Sequence, residues 1–409
     1  VDTATSLEGE QAAYRIEAGT ALARVTGVFV PAFPPVAAFR TLERRRWRTD
    51  RLFPGARLFA RGRHALHAGL AALAEVHGVR RLWLPAYICR PVADAAAAAG
   101  LRAALYDIDE RLHPRWSTVN PAPGDALLVL HAFGLALPGE AVMRFCTAYR
   151  LPLVENCAHA IPDPEATVQV GSYGALAVFS LRKQAPLPGG GLLVLNDPAL
   201  RDARPWPAPR GVGDRRTVGR LALMLLERAA VALDCNPLPL KDRLPVLDAH
   251  PVADGTASPA RPDPPAEYAR PPAPPAWLPP MVARLDWRPG ARARLAAYEG
   301  LAIRLAAVPG IAVPVVAPPP GSVPLALPVW ARQPDLLVRA LRAAGVEAMR
   351  WPGREQIPFD RGALPGAAAW LDRTVLLPLG WAGGRSRLSA LLDAVARAAE
   401  AAVGASAAV

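Results

Sequence analysis

The sequence predicts an α/β protein with a large domain built on a mostly parallel sheet, followed by a smaller α+β domain at the C-terminal end. Three observations predict it. Short apolar runs of strand length alternate with helical periodicities from Arg61 to Leu195, the pattern that builds parallel sheets covered by helices. A proline-dense stretch, 251–284, then interrupts the chain and is too poor in large apolar residues to fold by itself. Helix and strand patterns resume beyond it, and 409 residues suffice for two units with a sizeable core.

Residues 1–55 hold a polar start, a proline-bearing apolar stretch (Val28 to Val36) and a basic run (Arg44 to Arg48), and read as an arm packing on a domain. The large domain, 56–250, opens with a helix over Ala65 to Val76, a strand over Arg81 to Pro85 and a helix over Val92 to Ala99. Strands follow at Ala103 to Tyr106 and Ala126 to Leu130, then a helix at Glu140 to Tyr149 and a strand at Pro152 to Glu155. Two more apolar strands, Ala175 to Ser180 and Gly191 to Leu195, flank a short loop holding Lys183 and the run Gly189, Gly190, Gly191. Residues 251–284 read as a connector, including Pro264, Pro265, Pro271, Pro272, Pro274 and Pro275. The small domain, 285–409, reads as a helix at Arg292 to Ala307, a strand at Val323 to Trp330, a helix at Pro334 to Ala343, a strand at Thr374 to Leu377 and a helix at Ser386 to Ala402.

Composition removes several classes of function. Hydrophobic residues make up 52% of the chain and charged residues 20%, the balance of a folded globular protein. The apolar stretch Leu221 to Leu233 is broken by Glu227 and Arg228 and is too short to span a bilayer. Val1 to Glu10 contains no basic segment leading into an apolar one, so the chain reads as cytoplasmic. Four cysteines, Cys89, Cys146, Cys157 and Cys235, lack the paired spacing of a disulfide framework or a metal site. The formal charge of +12 comes from arginines spread along the whole chain. That distribution, with no basic motif interleaved by aromatics, argues against nucleic acid and suits a phosphorylated small substrate.

Only two of the 47 basic residues are lysines, Lys183 and Lys241. Arginine cannot give up its proton, whereas a desolvated lysine becomes a neutral amine that attacks a carbonyl. Lys241 lies between Pro239 and Pro245 and reads as exposed. Lys183 follows a strand at an edge of the sheet, where the ligands of open α/β proteins collect. Around it, Gly62, Arg63 and His64 open the first helix and offer backbone N–H groups to an anion. Asn156 and His159 cluster where another strand stops. An amine, an anion-binding helix start and polar groups at neighbouring strand ends are what a pyridoxal 5'-phosphate site requires.

In this arrangement the chain resembles the DegT family of sugar aminotransferases, enzymes of fold type I. Gly62 to Leu66 resembles the family's phosphate turn, and Leu84, Pro85, Ala86 and Tyr87 its "VPAY" strand end. Tyr106 to Asp109 and His131 to Gly134 resemble its "VDID" and "HLYG" elements, and Val154 to Ala160 its "IEDAAQA". Val178 to Gly190, with Phe179, Ser180, Lys183 and the glycines, resembles the Schiff-base loop. Leu325 to Trp330 and Thr374 to Gly380 resemble the small domain. The resemblance implies that Lys183 is the Schiff-base lysine and proton shuttle, with Ser180 and the backbone of Gly62, Arg63 and His64 on the phosphate. His159 takes the place of the Gln or His at the ring hydroxyl.

Four departures stand out. Asn156 occupies the place of an Asp that keeps the pyridine nitrogen protonated. Lys183 follows Ser180 by only three positions, a shortened loop. Cys89 stands where an aromatic commonly stacks on the ring, with Tyr87 the nearby substitute, and the segment by which a neighbouring subunit reaches the phosphate is not recognisable in residues 200–280. The expected activity is transfer of an amino group from an amino acid to a keto sugar, nucleotide-linked in the leading reading, by a homodimer. The competing expectations are a binding or scaffolding paralogue that has lost transamination, and a pyridoxal phosphate enzyme of another reaction type such as racemisation.

Overall fold

The computed structural model describes residues 55–163, 166, 169–185, 187–202, 215–233, 235–238, 268, 273–284, 288–352, 356–379 and 393–397. The N-terminal arm, Lys241, most of the connector and most of the last expected helix lie outside these residues. In the large unit the order is β1 (Arg57–Phe59), α1 (Gly62–His77), β2 (Arg81–Pro85), α2 (Arg90–Ala98), β3 (Arg102–Tyr106), β4 (Asp125–Leu130), α3 (Gly139–Tyr149), β5 (Leu153–Cys157) and β6 (Leu176–Ser180). Then come the one-turn α4 (Leu181–Gln184), β7 (Gly191–Leu195), α5 (Pro198–Arg201) and α6 (Arg215–Ala232). Within the expected connector, α7 (Leu278–Arg284) is helical and buries Leu278 and Val282. The small unit contains α8 (Arg288–Leu305), β8 (Ile311–Ala312), β9 (Ala326–Ala331), α9 (Pro334–Ala343), α10 (Pro365–Arg373) and β10 (Thr374–Pro378).

Seven strands form one sheet in the order β1-β7-β6-β5-β4-β2-β3. The pairs β2–β3, β2–β4, β4–β5 and β5–β6 are parallel, and β7 runs antiparallel to both β6 and β1. Every residue of β4 to β7 is buried, which is why these strands read as unbroken apolar runs: both faces of the sheet are covered. Helix α1 packs over β6 and β7 through Gly69, where a Cβ would come within 2.9 Å of Leu193 and 3.2 Å of Leu176. The second sheet, β10-β9-β8, is antiparallel.

The small unit is bonded to the carboxyl ends of the large sheet. The Asp107 carboxylate accepts the N–H groups of Gly366 (3.1 Å) and Ala367 (2.7 Å), capping α10. The Phe133 carbonyl oxygen accepts the Leu325 N–H at 2.7 Å. Gly134 (φ +82°) follows, where any Cβ would lie 2.2 Å from the Val323 carbonyl oxygen. Tyr87 Oη donates to the Trp351 carbonyl at 2.7 Å. Among the described residues no helix is long and apolar enough to cross a membrane.

Candidate active site

A cleft opens at the carboxyl ends of β5 and β6 and encloses about 910 Å³, counting its open mouth. Side-chain direction alternates along a strand, so Asn156 of β5 shares a face with Val178 and Ser180 of β6, and all three line the cleft. Gly62 and Arg63 line it from the start of α1, and Lys183 from α4. These placements bring together five of the seven residues singled out in the sequence. His159 adjoins them, with Nε2 at 2.9 Å from Lys183 Nζ. The ring of His64 is buried and away from the cleft, leaving its backbone N–H in the first turn of α1 as the group an anion would meet.

Glycines hold these pieces together. The antiparallel partner of Ser180 is Gly191, where a Cβ would lie 2.2 Å from the Arg61 carbonyl oxygen and 2.5 Å from Gly62 N. Gly190 (φ +107°) donates its N–H to the Ala60 carbonyl at 2.8 Å and accepts from Leu181 N–H at 3.0 Å. The turn before α1 and the segment carrying Lys183 are thereby stapled to one another. At Gly62 itself a Cβ would meet Ser180 Cβ at 3.3 Å. The N-cap of α1 is Arg61, whose side chain makes no capping bond, so the first-turn N–H groups face the cleft with the positive end of a helix 16 residues long.

The His159 ring is fixed on both sides. Its Nδ1 accepts the Phe133 N–H at 3.3 Å, which in a neutral imidazole places the proton on Nε2. An Nε2–H pointing at Lys183 Nζ requires a lone pair there, so the pairing suits an uncharged amine. The ring stacks on Phe133 (5.9 Å between centroids) and meets Trp351 edge-on (4.9 Å). Behind it, Gln184 Nε2 donates to the His159 carbonyl and Arg294 Nη1 donates to Gln184 Oε1. Arg294 is buried, and burial pulls its pKa down to about 9.

The residue on the other face of β5 has a structural task. Glu155 accepts the N–H groups of Gly171 (2.9 Å), Tyr173 (2.7 Å) and Gly174 (2.7 Å), fixing the loop into β6. His131 Nε2 lies 3.2 Å from the same carboxylate, while its Nδ1 accepts the Leu137 N–H at 3.1 Å. Cys157 adjoins this pair, and burial pushes its thiol well up. With both imidazole nitrogens and the carboxylate committed to protein bonds, the cluster reads as a loop anchor.

Sequence reasoning missed Trp351, Thr217 and Arg182, all of which line the cleft. Trp351 comes from the small unit with no local pattern to flag it. Tyr87, the expected substitute for a stacking aromatic, is instead packed in the core against Phe133, Trp351 and Trp370. The aromatic that reaches the cleft is Trp351, beside Cys89.

Comparison with known proteins accounts for this geometry. Residues 58–213 match the model of the DegT/DnrJ/EryC1/StrS aminotransferase family. This segment is a DegT-family domain. The family's aminotransferases depend on pyridoxal phosphate. An L-glutamine:scyllo-inosose aminotransferase of Streptomyces griseus is 32% identical over 170 residues, which are 35% of this chain and 39% of that protein. The chain thus matches about two fifths of that relative's length. The crystal structure of the sugar aminotransferase CalS13 from Micromonospora echinospora superposes with a TM-score of 0.62 at 17% identity, covering 90% of this chain and 100% of that one. NtdA from Bacillus subtilis, solved with bound cofactor PMP, gives 0.56 at 12% identity, covering 84% and 73%. At these identities the structures establish a shared fold and no more.

The residues present fit the family's cofactor. A phosphate has the uncapped start of α1, a cradle at Gly62 and Gly191 that a Cβ would fill, and Ser180 beside it. Lys183 is the amine that an aldehyde placed there would meet, and the Asn156 amide is the group that a ring nitrogen would meet.

Proposed function

We propose that this chain is a pyridoxal phosphate-dependent aminotransferase that moves an amino group from an amino acid to a keto sugar, nucleotide-linked in the leading reading, for amino sugar biosynthesis. The observation that carries it is the placement of Lys183 Nζ, paired with His159, in a cleft that the start of α1 also lines. Bound there, the cofactor supplies an aldehyde that takes up amino groups and a ring that draws off electron density. Lys183 supplies the amine that attaches it and the Nζ lone pair that accepts and returns a proton. His159 Nε2–H orients that lone pair. The N–H groups of Gly62, Arg63 and His64, with Ser180 Oγ, hold the phosphate, and Trp351 screens the inner cleft from water.

Arg61, Arg63 and Arg182 line the same cleft with no carboxylate among its described lining residues, which supports an anionic substrate such as a sugar nucleotide. A keto-cyclitol is the second reading, favoured by the 32% identity to the scyllo-inosose enzyme. The proposal includes a cytoplasmic homodimer, as the resemblance implies.

The test uses the two lysines. Protein incubated with pyridoxal phosphate is expected to absorb in the visible range, and borohydride is expected to fix the cofactor to the peptide containing Lys183 and not to that containing Lys241. Lys183→Ala is expected to abolish both. A protein that takes up no cofactor would leave the binding paralogue as the reading. If cofactor is taken up, release of a 2-oxo acid from glutamine or glutamate, dependent on keto sugar nucleotides or on scyllo-inosose, separates the two acceptor classes.

A further inference from the structure

Asn156 is 3% exposed and lines the cleft. Its Oδ1 accepts the N–H of Ala158 at 3.1 Å. A backbone N–H only donates, so this bond fixes which end of the amide is oxygen. The other end, Nδ2, is then a donor with no hydrogen-bond partner among the described residues, and on a side chain that lines the cleft it is placed to meet an acceptor there. Oδ1 keeps a second lone pair, but a neutral amide oxygen brings no charge to offset a cation.

The surroundings act in the same direction. Arg61, Arg63, Arg182 and Lys183 line the cleft, and among the described residues no Asp or Glu does. The carboxylate nearest along the strand, Glu155, points to the opposite face and is occupied by the N–H groups of Gly171, Tyr173 and Gly174 and by His131. A ring nitrogen placed against Asn156 therefore meets a donor in a cation-lined cleft, and both oppose its protonation.

We infer that Asn156 donates Nδ2–H to an unprotonated pyridine nitrogen, so that this chain holds its cofactor as a neutral pyridine. The inference rests on the cofactor binding proposed above and deepens it. A neutral ring draws off less electron density, so proton removal from the donor substrate leans more heavily on Lys183.

The experiment is nitrogen-15 NMR of the full chain loaded with pyridoxal phosphate labelled at the ring nitrogen. Wild type is expected to show the shift of an unprotonated pyridine, and Asn156→Asp is expected to move the resonance to the pyridinium position. A pyridinium shift in wild type overturns the inference, as does an Asn156→Asp resonance that stays where wild type has it. If Asn156→Asp fails to load, the wild-type shift decides alone. Cofactor fixed by borohydride to Lys183 together with a pyridinium shift would sink this inference and leave the aminotransferase reading standing. Failure of wild type to take up cofactor would overturn both.

Discussion

Replacing Gly191 by alanine tests the staple on which the cleft depends. The new Cβ would lie 2.2 Å from the Arg61 carbonyl oxygen and 2.5 Å from Gly62 N, against ordinary contacts of about 3.4 Å or more. Backbone must move by about 1 Å to admit it. Neither β7 nor the turn before α1 is a flexible side chain that swings aside, since Gly191 pairs with Phe59 on one flank and Ser180 on the other. Overpacking of this kind costs about 1–3 kcal/mol. Gly62 N is also one of the donors assigned to the phosphate, and a hydrogen bond to a charged group is worth about 1.5–3 kcal/mol. Its displacement corresponds to roughly 10–100-fold weaker cofactor binding. The assay is cofactor titration followed by fluorescence, paired with urea unfolding of the apo-protein. Gly300→Ala is the control. Gly300 lies within α8 with nothing within 4 Å of a new Cβ, and the exchange is expected to stabilise by about 0.5–1 kcal/mol. Undiminished stability and cofactor affinity in Gly191→Ala would refute the staple.

Two further outcomes follow from the bonds around the sheet. Glu155→Ala strips the carboxylate from three backbone N–H groups and His131 and is expected to cost about 3–5 kcal/mol; a loss below about 1 kcal/mol in urea unfolding would show the 171–174 loop held by other means. At Asp125, burial works to raise the carboxyl, but the bonds from Arg81, Trp83 and the Ala122 N–H prevail and hold it below the ordinary carboxylate range. Its stabilising contribution is therefore present above the unfolded value of about 3.9 and fades as pH falls through the folded value. The stability gap between wild type and Asp125→Asn is expected to narrow from pH 6 to pH 3, and a constant gap would remove this assignment.

The strands of the large sheet were legible because full burial leaves apolar runs cut off by Gly and Pro, and those runs mark β2 and β7 end to end. Helix α6 was not, because Arg220 and Glu227 sit inward on it, 8% and 1% exposed, and hide its amphipathic period. Strand β1 is three residues long, too short for any pattern. Helix α10 was not read from the sequence either; it begins at Pro365, where proline is welcome in the first turn. In the cleft, Lys183 was found through the scarcity of lysine, and Asn156 and His159 through their position at a strand end. Trp351, Thr217 and the Arg294–Gln184 pair arrive through tertiary packing, which leaves no local trace in the sequence.

The joint between the two units bears on how the proposed two-substrate cycle would run. Gly134 sits against the Val323 backbone with no space for a methyl group, Asp107 grips the first turn of α10, and Tyr87 Oη holds the carbonyl behind Trp351. Rocking one unit on the other would tear several backbone bonds at once. In the amino transfer proposed above, donor and acceptor would then enter and leave in turn through a mouth of fixed shape, with selection between them falling to side chains at its rim rather than to closure of the whole molecule.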